Sequence, residues 1–194
     1  MRILPFLMLT LLAACADEAV QPEVQEARGR HAVALFAQSC VAHNGAAAEI
    51  SAWAESSRAK RATVEDIKRL PFSLIEPDVQ SLWQVVHDDA VYYVSLTGDS
   101  CSVKAERADE QAVRQAFTAL VMQVPKGVNA EMRADQATQT PFPFRQLVYA
   151  WRAEGSGDET VLSANTSISR QLPAQAVLSL THKSYRAHAP VLVP

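Results

Sequence analysis

Residues 82–106 read LWQVVHDDAVYYVSLTGDSCSVKAE, and this stretch decides the fold. Leu82 to His87 is rich in β-branched and aromatic residues and stops at Asp88-Asp89, a pair suited to a tight hairpin turn. Val91 to Leu96 then returns antiparallel. Thr97-Gly98-Asp99-Ser100 makes the next turn, and beyond it Cys101, Val103 and Ala105 alternate with Ser102, Lys104 and Glu106. That alternation turns Cys101 toward the core. Three consecutive antiparallel strands are predicted, and they need a covering layer.

The flanking sequence supplies one. Upstream, residues 27–40 form an amphipathic helix in which Ala32, Leu35, Phe36, Ser39 and Cys40 share a stripe, stopped by Asn44-Gly45. A second helix spans about 46–57, with Ile50, Trp53 and Ala54 on one side, and Ser56 to Arg61 continues it as a solvated basic stretch. Thr63-Val64-Glu65-Asp66 is a capping box for a short helix ending at Pro71. Downstream, Asp109 is the N-cap of a helix to about Gln123, with Val113, Ala116, Phe117, Leu120 and Val121 as its apolar stripe, closed by Pro125-Lys126-Gly127. Strands follow at about 145–153, 159–167 and 175–182. The expectation is therefore α+β: an antiparallel sheet of about six strands with helices packed on one face. Helices, three strands, a helix and three strands also suggest a degenerate αβββ duplication.

The chain has 194 residues, a formal charge of −3, 48% hydrophobic, 7% aromatic and 20% charged residues. These values fit one globular domain, predicted over 27–182, with an extended or disordered tail at 183–194. The small charge argues against a nucleic-acid partner.

The N-terminus carries a second signal. Arg2 precedes an apolar run from Ile3 to Leu12, broken only by Pro5 and Thr10, which is too short to span a bilayer and suits a signal peptide over residues 1–14. Leu12-Ala13-Ala14-Cys15 resembles a bacterial lipobox. That likeness implies lipidation of the Cys15 thiol, with palmitate among the acyl chains, and cleavage before it. An ordinary secretory signal cut after Ala16 is the alternative. Ala16, rather than Asp, follows the cysteine, which implies the outer membrane, facing the periplasm. Residues 15–26 then read as a tether.

Lipidation would leave Cys40 and Cys101 as an even pair in an oxidising compartment, where a disulfide is the default. A metal site from Cys40, His43, His87 and Cys101 is the weaker reading, and neither a metal nor a cofactor is predicted. Gly98-Asp99-Ser100 has the order of a lipase nucleophile block, but a strand follows it and no downstream Asp-x-x-His supplies a base, so it reads as a turn. His87-Asp88-Asp89 reads as a solvated turn, His31 as a half-exposed group beside the helix stripe, and His182 and His188 as parts of a flexible segment. No phosphate loop or metalloprotease motif occurs. No catalytic residue is predicted, and the chain is expected not to be an enzyme. Trp53, Trp83, Tyr92, Tyr93, Tyr149 and Trp151 cluster in the predicted sheet and its cover; they form either core or an aromatic recognition face.

Phe36-x-x-x-Cys40 on a helix, Gly98 to Val103 as Gly-Asp-Ser-Cys-x-Val, and Ala108-Asp109 opening the next helix resemble a family of small, uncharacterised proteobacterial secreted proteins and lipoproteins. The resemblance covers residues 33–123. It implies the same fold and disulfide, and no activity comes with it. The functional expectation is a lipid-anchored, non-enzymatic binding or accessory domain with an envelope protein as partner. The alternatives are an inhibitor or immunity-type lipoprotein against a lytic enzyme, and a hydrolase of unrecognised type.

Overall fold

The computed structural model of the chain describes residues 20–184. The expected signal peptide 1–14, Cys15, His188 and residues 185–194 of the expected tail lie outside the described residues. Four helices, α1 (Pro22–Phe36), α2 (Ala47–Ser56), α3 (Val64–Arg69) and α4 (Glu110–Val121), accompany eight strands. These are β1 (Lys60–Arg61), β2 (Ser81–His87), β3 (Ala90–Leu96), β4 (Ser100–Ala105), β5 (Val128–Thr138), β6 (Phe144–Ala153), β7 (Asp158–Thr166) and β8 (Ala176–Ser184). All eight join one antiparallel sheet in the order β1-β2-β3-β4-β8-β7-β6-β5.

The α+β class and the antiparallel sheet are as expected, and so is the β2–β3–β4 meander. Thr63 and Asp66 make the full capping box at α3, and the Asp109 carboxylate accepts from the Ala112 amide at α4. Three details differ. Two strands were missed: β1 is two exposed charged residues, and β5 is mostly exposed and rich in Ala, Asp, Glu and Asn, which strands disfavour. The first helix starts at Pro22, inside the expected tether, because proline at a first-turn position loses no hydrogen bond and has its φ preset. Residues 183 and 184, expected in the tail, end β8.

The cover is also two-sided. Alternation gives β3 one face of Tyr92, Val94 and Leu96 and another of Val91 and Tyr93. α1, α2 and α4 pack on the first face with Trp83, Cys101, Val103, Leu147, Leu162, Leu178 and Leu180. α3 and the turn Phe72–Leu74 cover part of the second, where Leu74, Leu82 and Tyr93 are buried against Ile67 and Leu70. Helices on one face alone would have left Leu82 and Tyr93 in water.

Two contacts join α1 to α4, and a third ties its far end to the sheet. At Gly29 an added Cβ would lie 3.0 Å from the Asp109 carbonyl oxygen and 3.1 Å from Val113 Cγ2, so glycine lets α1 and α4 cross closely. The Asp109 amide donates to the Gln25 carbonyl at 2.9 Å, tying the start of α4 to α1. At its other end α1 runs into a wider turn, Ala37–Val41, which carries Cys40. Cys40 bonds Cys101 with a Cα–Cα distance of 5.6 Å, so helix end and strand pack directly, as the disulfide expectation requires.

Candidate functional site

The aromatic set is largely core. Trp83, Tyr92, Tyr93 and Tyr149 are buried. Trp53 and Trp151 pack against the main core, and the Trp151 indole N–H donates to the Val121 carbonyl at 2.8 Å. Tyr93 lies on the opposite face from the others. These side chains supply apolar area to both layers, so no common recognition face exists among them. The disulfide likewise removes Cys40 and Cys101 from any metal set. His43 faces Glu49 at 3.5 Å instead, and His182 is held in β8 by the Asn44 carbonyl at 2.7 Å. Among the described residues no group of three or more His, Cys, Asp or Glu side chains is placed to hold a metal ion.

Gly98-Asp99-Ser100 forms the expected turn: the Ser100 amide donates to Thr97 Oγ1, and Thr97 Oγ1 donates to Asp99. Two other serines are joined to charge. Lys104 Nζ lies 2.6 Å from Glu76 Oε2 and 3.3 Å from Ser95 Oγ. Ser95 and Ser102 donate to the two oxygens of Glu76 at 2.9 and 2.8 Å, and their hydroxyls are 2.7 Å apart. Burial works to raise the Glu76 carboxyl, but the Lys104 charge and the hydrogen bonds from Lys104 and Ser102 hold it below its ordinary value. Burial lowers Lys104, and Glu76 offsets this only in part. Ser95, Ser102 and Lys104 are at most 3% exposed, so a substrate has no path to them. The cluster is a polar clasp that pins the segment before β2 onto β3 and β4.

A second cluster joins distant parts of the chain. His31 on α1 stacks flat on His87 at the end of β2, with ring centroids 3.8 Å apart and planes 2° apart. Tyr92 closes the stack at 4.9 Å. His87-Asp88-Asp89 forms the exposed turn expected of it, and within it Asp88 takes φ 43° and brings its carboxylate 3.3 Å from His87 Nε2. Asp89 follows at φ 59°, giving the turn two left-handed residues, a conformation that aspartate tolerates in hairpins. His31 Nε2 and Arg28 Nε are buried and find no hydrogen-bond partner among the described residues. Burial, and then His87, push the His31 imidazole below its ordinary value, with Asp88 acting the other way. A cavity of about 410 Å³ beside the stack is lined by Glu23, Val24, Arg28, Asp88, Asp89 and Tyr92, among others. No spacing in the sequence pairs His31 with His87.

An open concavity of about 670 Å³ runs along α4, lined by Gln111, Arg114, Gln115, Thr118, Ala119 and Met122 with Arg145 of β6. Val113, Phe117 and Val121 turn the other way into the core, so the small Thr118 and Ala119 leave the groove open. Met122 is 59% exposed; Met132, on β5 opposite Tyr149, is 56% exposed. Arg114 grips Asp135 of β5 through both carboxylate oxygens at 3.1 and 2.9 Å, and Arg145 reaches Asp135 and Glu110 at 3.8 and 4.0 Å. The charges at this groove are matched within the chain. The β5 edge beside it is broken by a bulge between Met132 and Ala134 and carries Glu131, Arg133 and Asp135, features that discourage strand pairing.

Fold and surface define an α+β domain, one antiparallel sheet with helices on both faces, with an open groove along α4 and no assembled catalytic constellation among the described residues. No protein-family model, curated protein or solved structure matches the chain. Among the described residues no helix is long and apolar enough to cross a membrane.

Proposed function

We propose that this chain is a lipid-anchored binding domain of the bacterial envelope, non-enzymatic, held by Cys15 at the outer membrane and facing the periplasm. One observation carries the binding reading: an open groove along α4 lined by the exposed Met122, beside an edge strand that carries the exposed Met132 and is protected against pairing. Methionine is flexible and polarizable and adapts to apolar partners. A strand-adding partner would meet the bulge and charges of β5, so the groove favours a protein that presents an apolar helix face or side-chain cluster. The purified domain carrying Met122→Glu and Met132→Glu should melt as the parent does, since both positions are exposed, and should lose its complex with the envelope partner. An undiminished complex would overturn the reading. Stoichiometric inhibition of a lytic hydrolase would narrow the partner to that class, and labelling by a serine-reactive probe would favour a hydrolase instead.

The anchor rests on Leu12-Ala13-Ala14-Cys15. Cys15→Ser is expected to abolish incorporation of labelled palmitate and to leave soluble or unprocessed protein. Wild-type protein that fractionates with soluble periplasmic proteins without detergent would contradict it. The resemblance to small proteobacterial secreted proteins and lipoproteins agrees with this placement.

We also infer that the two halves arose by duplication, with four strands per half rather than three. The strand order is palindromic about β4 and β8, and each half carries one cross-strand serine pair on the face away from α1 and α4. Ser95 meets Ser102 in one half and Ser163 meets Ser179 in the other, both at 2.7 Å.

A further inference from the structure

We propose that the His31–His87 stack is an acid-released clasp: it holds α1 against the β2–β3 hairpin while at least one imidazole is neutral, and opens when both are protonated. The geometry is specific to this role. The two rings come from elements 56 positions apart in sequence and meet face to face at 3.8 Å. A neutral ring packs well on a neutral or a charged one, whereas two stacked cations repel.

The surrounding charges act unequally on the two rings. His87 has the Asp88 carboxylate 3.3 Å from its Nε2. His31 Nε2 is buried with no hydrogen-bond partner among the described residues, and a proton on that ring faces His87 across the stack. Around them, α1 contributes Glu23 and Arg28, the turn contributes Asp88 and Asp89, and β3 contributes Tyr92. The adjacent cavity of about 410 Å³ gives water a route to the rings once they part.

The direction of the pH effect follows from His31. Its folded-state value is lowered, so the unfolded or opened chain takes up a proton at a higher pH than the closed form does. The stabilisation is fully present above the ordinary histidine range and is lost as pH falls through about 6.5 and below. α1 is the element that continues directly from the N-terminal segment, so acidification would loosen the domain at its anchored end.

Hydrogen exchange of the full chain, corrected for intrinsic rates, tests this. From pH 7.5 to pH 5.0 the amides of α1 up to His31 should lose at least tenfold in protection, while those of β7 and β8 change less than twofold. His31→Phe, which keeps a stacking ring that cannot titrate, should hold α1 within twofold over the same range. Loosening spread evenly over the molecule, or acid loosening of α1 in His31→Phe and His87→Phe as large as in the wild type, would overturn the clasp. Should a variant fail to fold, the wild-type imidazole resonances decide. Coupled titration of both rings together with the α1 amides supports the clasp, and independent single-step titrations with unmoved α1 amides refute it.

Discussion

Cys40→Ala is expected to lower the stability of the domain by about 2–5 kcal/mol, measured as a shifted denaturation midpoint at unchanged cooperativity. The bond joins positions 61 apart in sequence, so it restricts a large part of the unfolded chain. Both cysteines are fully buried, and Cys40 sits where α1 ends against the start of β4. Loss of the bond frees that end of the helix layer, and alanine leaves a void where Sγ was packed. Reduction of the wild type should have a comparable effect. A change below about 1 kcal/mol on both routes would mean that the bond ties together parts already held by packing.

Glu76→Ala is expected to cost about 2–3 kcal/mol, because it leaves the Lys104 ammonium, 4% exposed at its side chain, without its counter-charge. The figure is taken below the usual range for a buried pair because the Glu76 side chain is itself 27% exposed. Ser95 and Ser102 would lose their shared acceptor in the same step. Glu76→Ala combined with Lys104→Met should recover most of the loss, since the ion pair and its desolvation disappear together. A double variant no more stable than the single would show that the hydroxyl bonds, not the charge pair, hold the segment. The sign with pH is fixed by the lowered carboxyl value. The contribution is present above the unfolded glutamate range near 4.3 and is lost as pH falls through the folded value, so Glu76→Gln should flatten the acid limb of the stability curve.

The layout around β2, β3 and β4 was legible because each strand has a clean period of two and each turn has its own residue chemistry. The caps at Thr63 and Asp109 were legible for similarly local reasons, and the pairing of Cys40 with Cys101 from the even cysteine count expected in an oxidising compartment. β5 was not, since the edge of a sheet does not need apolar alternation, and Glu131, Arg133 and Asp135 satisfy solvent and charge rather than core. The aromatic residues were legible as a cluster but not as core, because composition does not say which side of a strand is covered. Helices above one face and α3 below the other bury both Tyr92 and Tyr93. The groove and the histidine stack depend on tertiary packing. Thr118 and Ala119 look like ordinary surface positions until α4 is set beside Arg145, and His31 looks solvated until α1 crosses the β2–β3 hairpin.

In the proposed function the face of α4 turned away from the core receives a partner protein. Photo-crosslinking in intact cells tests it most directly, with a benzophenone side chain placed in turn at Gln115, Met122 and Met132, and at Phe72 as a control that is 81% exposed near α3. One adduct, with the same envelope protein, is expected from Gln115 and Met122 in the groove and from Met132 on the neighbouring edge strand, and none from Phe72. No adduct from the groove, or the same products from Phe72 as from Met122, would contradict it.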